Sequence, residues 1–288
     1  MKQNISPLSI DECLLNTTES ICPVCLRRIP AKHVLQGNDV YLDKECPEHG
    51  HYRTILWRGQ NPGYADWFKE RGGLSLPDGF VPKDGQGCPY ECGLCAEHRN
   101  PTCCILLEVT QRCNQNCSFC FAESGGEQQD PPYEEIIGWL EFLRDAGKPF
   151  IHFTGGEPTL RDDLPELISA AKAMGFAYIQ LNTNGRRLAE DKDYVAKLRE
   201  AGLSSVFLQF DGTTSEIYRR IRGEDLLSKK EKAIENCAEN MLGVVLVPTL
   251  VPGINTENIG EIINFGLARS PYVRGVHFQP VSYFGRFP

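Results

Sequence analysis

The chain has 288 residues, 41% hydrophobic and 24% charged, with 27 glycines and 19 prolines, a globular composition that excludes a disordered or collagen-like chain. Thirty basic side chains against 38 acidic ones leave a formal charge of −8, which excludes a protein that holds nucleic acid or anionic lipid through a general basic field. The N-terminal MKQNISPLSIDECLLN lacks a basic stretch followed by an apolar one, and the longest apolar stretch, Gly243 to Gly253, is interrupted by Pro248 and Pro252, short of the roughly 20 residues a membrane span needs. A cytoplasmic, non-transmembrane protein is the expectation.

Residues 1–103 form a cysteine-rich segment. Of thirteen cysteines, twelve lie in the first 120 residues. In a chain without an export signal and long enough to bury a core, they read as metal ligands rather than disulfides. Two knuckles come first, CPVC at Cys22 to Cys25 and CPEHG at Cys46 to Gly50, separated by AKHVLQGNDVYLDKE with a hairpin turn near Gly37-Asn38-Asp39. Two such turns aim Cys22, Cys25, Cys46 and His49 at one tetrahedral ion, zinc or a mononuclear iron, as in a zinc ribbon or rubredoxin. A later cysteine in place of His49 is the alternative. After a Pro- and Gly-broken stretch comes CPYECGLCAEHRNPTCC, which sets Cys88, Cys92 and Cys95 in CxxxCxxC spacing. With Cys103 as a fourth ligand this block would close a second [4Fe-4S] cluster or a zinc site. Cys13 and Cys237 have no metal spacing and read as buried small hydrophobes.

From residue 104 onward short β-rich runs alternate with amphipathic stretches. The predicted strands are Ile105 to Thr110, Phe150 to Thr154, Ala177 to Thr183, Ser205 to Phe210, Val244 to Leu250 and Val276 to Ser282. The predicted helices are Tyr133 to Ala146, Leu164 to Met174, Glu190 to Ala201, Leu226 to Met241 and Asn258 to Ala268. This order means parallel α/β architecture, either an open doubly wound sheet or a barrel or partial barrel. In both, chemistry gathers at the carboxyl ends of the strands. The chain stops at Phe287-Pro288, soon after the sixth strand, which suggests truncation before a further C-terminal domain.

The strand ends carry the distinctive residues. The first runs into TQRCNQNCSFCFA, with Cys113, Cys117 and Cys120 on one loop. Three thiolates there suit three irons of a [4Fe-4S] cluster and leave the fourth open; structural zinc wants four ligands. The second strand runs into TGGEP, Thr154 to Pro158, which taken alone is a turn with an N-cap. NTNG follows the third strand and LQFDG ends the fourth, where Asn184 and Asp211 are either ligand-binding groups or turn formers. In EIYRRIRG, Arg219, Arg220 and Arg222 either contact an anion or line a solvated helix face, and His152 and His277 read as packed strand residues rather than acid–base groups.

The cysteine loop joined to TGGEP resembles the radical S-adenosylmethionine (SAM) superfamily, over residues 104–288. The resemblance implies a partial six-stranded parallel (β/α) barrel. It implies that the amino and carboxylate groups of SAM chelate the open iron, with Phe119 against the adenine. Gly155, Gly156 and Pro158 would belong to the SAM-binding turn, Glu157 would neutralise the SAM ammonium, and Asn182, Asn184, Gln209 and Asp211 would supply ribose and carboxylate contacts. A reductant protein such as ferredoxin or flavodoxin would feed the cluster. The reaction implied is cleavage of SAM to a 5′-deoxyadenosyl radical that takes hydrogen from an unactivated C–H bond. The blocks ICPVC, GCPYECGLC and CNQNCSFCF together are similar to a narrower group containing tetraether lipid synthases and dihydropterin methyltransferases. The expectation is therefore a small-molecule or lipid substrate, with carbon–carbon bond formation on a lipid preferred and methylation of a reduced pterin the alternative. An iron–sulfur electron carrier or metal-dependent interaction module is the reading from a different class; neither needs GGEP or the six-strand array.

Overall fold

The computed structural model describes residues 12–59, 64, 104–125, 129–145, 150–283 and 285–287, which fall into two compact units, residues 1–101 and 102–288. The block containing Cys88, Cys92, Cys95 and Cys103 lies outside the described residues.

In the first unit β1 (Glu12–Ile21), β2 (Arg28–Gln36), β3 (Asp39–Cys46) and β4 (Gly50–Trp57) form an antiparallel sheet in chain order. The predicted hairpin closes on the Gln36–Asp39 pair, with Gly37 at φ 59°. Its buried apolar set among the described residues is small: Cys22, Ile29, Ala31, Val34, Val40 and Cys46. So few apolar groups give little burial energy, the circumstance in which small sheets draw stability from a bound ion. Cys13 corrects the sequence reading. It lies exposed on the edge strand β1, both faces of which are largely solvated, and is no core residue.

The second unit is built on six parallel strands: β5 (Cys104–Thr110), β6 (Phe150–Gly155), β7 (Ile179–Thr183), β8 (Ser205–Gln209), β9 (Gly243–Val247) and, beyond the short β10 (Thr249–Leu250), β11 (Val273–Val276). Each pairs with its predecessor in this series and the two outer strands do not pair with one another, so the sheet is an open partial barrel. Alternation along the strands sorts the side chains by face. Leu107, Phe153, Leu181, Val206, Val244 and Val273 lie side by side in register, each 8% exposed or less. They share one core with apolar residues of α1 (Tyr133–Asp145), α2 (Leu164–Ala173), α4 (Lys192–Glu200), α6 (Leu227–Glu239) and α7 (Ile259–Leu267), among them Leu140, Leu167, Leu198, Ile234 and Ile262. Burial of each such side chain contributes roughly 1.5–3 kcal/mol. The opposite face carries a polar row, His152, Gln180 and Ser205, in which Gln180 donates to Ser205 Oγ at 2.8 Å; in the next row Asn182, which donates to Thr154 Oγ1 at 3.1 Å, is aligned with Phe207 and Val245.

Two strand boundaries differ from the sequence reading. The fifth run splits at Pro248 into β9 and β10, and the sixth strand pairs over Val273–Val276, leaving Gln279–Pro280 as a separate strand, β12, parallel to β10. Pro248 has no N–H to donate and interrupts the ladder within an apolar run that looks continuous, whereas Pro280 lies within β12 opposite Leu250. Two further short helices, α3 (Arg186–Glu190) and α5 (Ser215–Arg222), follow β7 and β8. No helix among the described residues is long and apolar enough to cross a membrane.

Candidate metal and cofactor sites

In the first unit the two turns that flank the central hairpin bring four ligands together. Cys22 and Cys25 follow β1, Cys46 ends β3, and His49 lies in the turn before β4. Cys22 Sγ and Cys46 Sγ stand 3.7 and 3.5 Å from His49 Nδ1, and Cys25 Sγ is 3.9 Å from Cys46 Sγ. All four ligand atoms lie within 4.8 Å of one another. A tetrahedron with Zn–S bonds of about 2.3 Å has edges of about 3.8 Å, so the set fits one tetrahedral ion. Burial opposes ionisation of Cys22, but the backbone N–H groups of Cys25 and Val24, with the neighbouring thiols, draw its pKa down to about 6.

In the second unit the cysteine loop leaves β5 and is clamped on three sides. At its root Gly156 N donates to Thr110 O and Glu157 N to Arg112 O, both at 2.8 Å. The paired glycines are required by this approach. A Cβ at Gly155, whose φ is +133°, would stand 2.1 Å from Thr110 O, and one at Gly156 would stand 2.2 Å from Arg112 O. Farther along, Ser118 N donates to Ile221 O at the end of α5. Cys120 and Arg286 exchange backbone hydrogen bonds at 2.8 and 2.9 Å, while Arg286 Nε donates to Cys117 O at 2.8 Å. The sequence reading missed Arg286, since nothing in local spacing relates it to a loop 169 positions upstream.

The polar residues at the strand ends are tied to this loop and to each other. Glu157 is 1% exposed. Its Oε1 accepts from Thr159 N (3.1 Å), Thr159 Oγ1 (2.6 Å) and Thr183 Oγ1 (2.6 Å), and its Oε2 accepts from Asn184 N at 2.7 Å. The carboxylate therefore ties the turn after β6 to the turn after β7. Asn184 Nδ2 donates to Asn114 Oδ1 on the cysteine loop at 2.7 Å. Lys230 reaches from α6 to donate to Asn184 O (2.5 Å) and Gln209 Oε1 (3.2 Å), and burial brings its pKa down to about 8. Asp211 has no exposed side-chain surface, and both its oxygens accept from Arg222 at 2.7 Å. Through Arg222 its carboxylate is linked to the cysteine loop, and its Oδ1 also accepts from Thr249 N at 3.2 Å. Arg222 also donates to Phe119 O at 3.4 Å. Arg219 instead pairs at the surface with Glu216 and Asp225, and Arg220 donates to Gly253 O. The Phe119 ring packs against Ile217, Ile221 and Val251.

An open cavity of about 760 Å³ is lined by Arg112, Cys113, Asn114, Gln115, Asn116 and Leu160, together with Gly125. It lies on the cysteine loop, within the usual size range of a small-molecule site. Burial, and after it the charges of Glu157, Cys117 and Cys120, push the Cys113 thiol up despite the Gln115 N–H. Bound iron would supply the opposite charge such a thiolate needs. Gln115 Nε2 is buried without a partner among the described residues. Three thiols on one strand-end loop, an orphaned donor between two of them in sequence, and a cavity over Cys113 fit a [4Fe-4S] cluster with one small-molecule ligand. His152 is buried in the strand, between Phe150 (stacked, 6.0 Å) and Phe207 (edge-on, 4.9 Å).

Comparison with known proteins agrees with this geometry. Residues 107–266 match the radical SAM superfamily, and residues 14–58 match the HMPTM N-terminal zinc ribbon domain. The 7,8-dihydro-6-hydroxymethylpterin dimethyltransferase of Methanocaldococcus jannaschii is 44% identical over 276 residues, 93% of this chain and 54% of that protein. A probable GTP 3′,8-cyclase of Methanothermobacter marburgensis is 32% identical over 172 residues, 58% of this chain and 55% of that one. The chain thus spans about half the length of these curated relatives. Among solved structures, Streptococcus suis SuiB bound to S-adenosylmethionine aligns with a TM-score of 0.55 at 16% identity, covering 65% of this chain and 43% of that one. That likeness concerns the fold alone.

Proposed function

The chain belongs to the radical SAM superfamily, and from that premise we propose that it forms the catalytic core of a radical methyltransferase acting on a reduced pterin. The likeness that carries this reading is the 44% identity, over nearly the whole chain, to a relative named for dimethylation of a dihydropterin. The amide and hydroxyl groups of Gln180, Asn182 and Ser205 on one sheet face support it, because a pterin needs paired hydrogen-bond groups whereas a saturated lipid chain needs an apolar channel.

When bound, the [4Fe-4S] cluster and SAM supply a one-electron reduction of the sulfonium and a 5′-deoxyadenosyl radical able to take hydrogen from a C–H bond. Cys113, Cys117 and Cys120 would hold the cluster through three irons. Glu157 would present its remaining Oε2 lone pair to the SAM ammonium while its other contacts keep the turn rigid. Phe119, packed on Ile217 and Ile221, would give the adenine a fixed apolar wall. Asn182, Asn184 and Gln209 would offer amide groups to the ribose and carboxylate, with Lys230 holding Gln209 Oε1 and the Asn184 carbonyl. The loop clamps at Thr110, Ile221 and Arg286 hold these groups in a fixed arrangement. In the first unit, Cys22, Cys25, Cys46 and His49 would hold zinc as a structural ion. A low-potential reductant protein, a ferredoxin or flavodoxin, is the partner this chemistry requires.

The test is anaerobic turnover with a chemical reductant, using the reduced pterin and deuterium-labelled archaeal-type lipid in separate incubations. Methylated pterin is the expected product. Deuterium transfer from the lipid into 5′-deoxyadenosine without pterin turnover would replace this reading with carbon–carbon bond formation on the lipid. A protein that carries clusters but never cleaves SAM would be an electron carrier.

A further inference from the structure

Two polar side chains, Arg222 and Gln115, lie against Cys117. Arg222, buried in its ion pair with Asp211, also lies against Cys117. The second neighbour is the Gln115 carboxamide, 7% exposed, whose Oε1 stands 3.5 Å from Cys117 Sγ. That contact needs a proton on sulfur, because a carbonyl oxygen can only accept. Meanwhile Gln115 Nε2 is buried and pairs with no described residue, and an orphaned buried donor costs about 1–3 kcal/mol.

Metal ligation removes the thiol proton and makes sulfur an acceptor only. Half a turn about the last side-chain bond of Gln115 exchanges Oε1 for Nε2 in nearly the same volume. The rotated amide then donates to the sulfur, and the orphaned donor and the new acceptor satisfy each other. Nothing in the backbone has to move.

We infer that Gln115 tunes the iron–sulfur cluster, its carboxamide N–H donating to the Cys117 sulfur in the loaded protein and raising the cluster's reduction potential. The inference rests on assigning the cluster to Cys113, Cys117 and Cys120. One added electron makes the cluster sulfurs more negative and strengthens an N–H···S bond, so the donor favours the reduced form. Arg222 would act in the same sense, but its ion pair with Asp211 makes it a structural residue as well. Gln115 is the cleaner probe.

The experiment is an anaerobic redox titration of the full chain, followed by EPR of the cluster whose signal changes on adding SAM. That SAM response in the unaltered protein tests the cluster assignment by itself. Gln115→Leu removes the donor at similar size, and Gln115→Asn shortens its reach. Both should retain four irons at the SAM-responsive site and titrate at a lower potential than wild type, and Gln115→Glu should titrate lower still. Pulsed EPR after exchange into deuterium oxide should give the wild-type cluster a deuteron coupling that Gln115→Leu lacks. Wild-type potentials in both Leu and Asn variants would overturn the inference. Loss of the cluster from both would also overturn it, leaving Gln115 as loop scaffolding.

Discussion

Glu157→Gln keeps the shape of the side chain and removes its charge. In the native turn Oε1 accepts three hydrogen bonds and Oε2 accepts one from Asn184 N at 2.7 Å. A carboxamide can leave its oxygen with the three donors, but its NH2 group then faces the Asn184 N–H, donor against donor. Losing one charge-assisted bond costs on the order of 1.5–3 kcal/mol, and leaving buried donors unpaired costs about 1–3 more. Some relaxation of the turn offsets part of this, so the expected destabilisation is roughly 3 kcal/mol. It would be measured by urea unfolding of anaerobically prepared protein at neutral pH. If the carboxylate also pairs with the SAM ammonium, equilibrium SAM binding should weaken roughly 10-fold, about 1.4 kcal/mol. Thr183→Val separates the two effects, since it takes one donor from Oε1 and leaves the charge. It should lower stability by about 1–2 kcal/mol and leave SAM affinity nearly unchanged. A Glu157→Gln protein that unfolds at the wild-type urea concentration would refute the four-donor account, and one that binds SAM as wild type would remove Glu157 from the ligand's contacts.

Replacing Cys113, Cys117 and Cys120 together by Ala should abolish the SAM-responsive EPR signal and SAM cleavage while any metal held at Cys22, Cys25, Cys46 and His49 is retained; persistent reductive cleavage would place the cluster elsewhere. Gly156→Ala pushes a methyl to 2.2 Å from Arg112 O and should cost at least about 1–3 kcal/mol by overpacking, read as a lower unfolding midpoint with cluster content reduced in step. Burial, reinforced by His277, holds the His152 pKa at about 4, below the roughly 6.5 of an unfolded chain. The unfolded state therefore binds the extra proton, and this contribution, at most roughly 3 kcal/mol, is present above about pH 6.5 and is lost as pH falls toward 4. Unfolding between pH 5 and 7 should become less pH-dependent in His152→Leu, and an unchanged slope would show that His152 is not the group responsible.

Metal-binding pattern and strand count were legible in the sequence because both are written in short-range spacing. CPVC and CPEHG sit on tight turns whose reach is a few residues, and a single hairpin with a turn at Gly37 brings the pair together. The alternation from Ile105 onward required parallel β/α units, since only crossover helices cover both the runs and their connections. The strand limit at Pro248 was less visible, because an apolar run looks continuous where a missing N–H breaks the ladder. Which partners the polar side chains take was decided by tertiary structure alone. Glu157 meets Thr183 and Asn184 about 27 positions on, Arg222 reaches back to Asp211 and Phe119, and Arg286 clamps Cys117 and Cys120 from the far end of the chain. Asp211 and Asn184 could be named from turns, but a turn leaves the direction of a carboxylate or amide undetermined. Burial and the supply of donors fix that direction, and both come into being only when strands distant in sequence lie side by side.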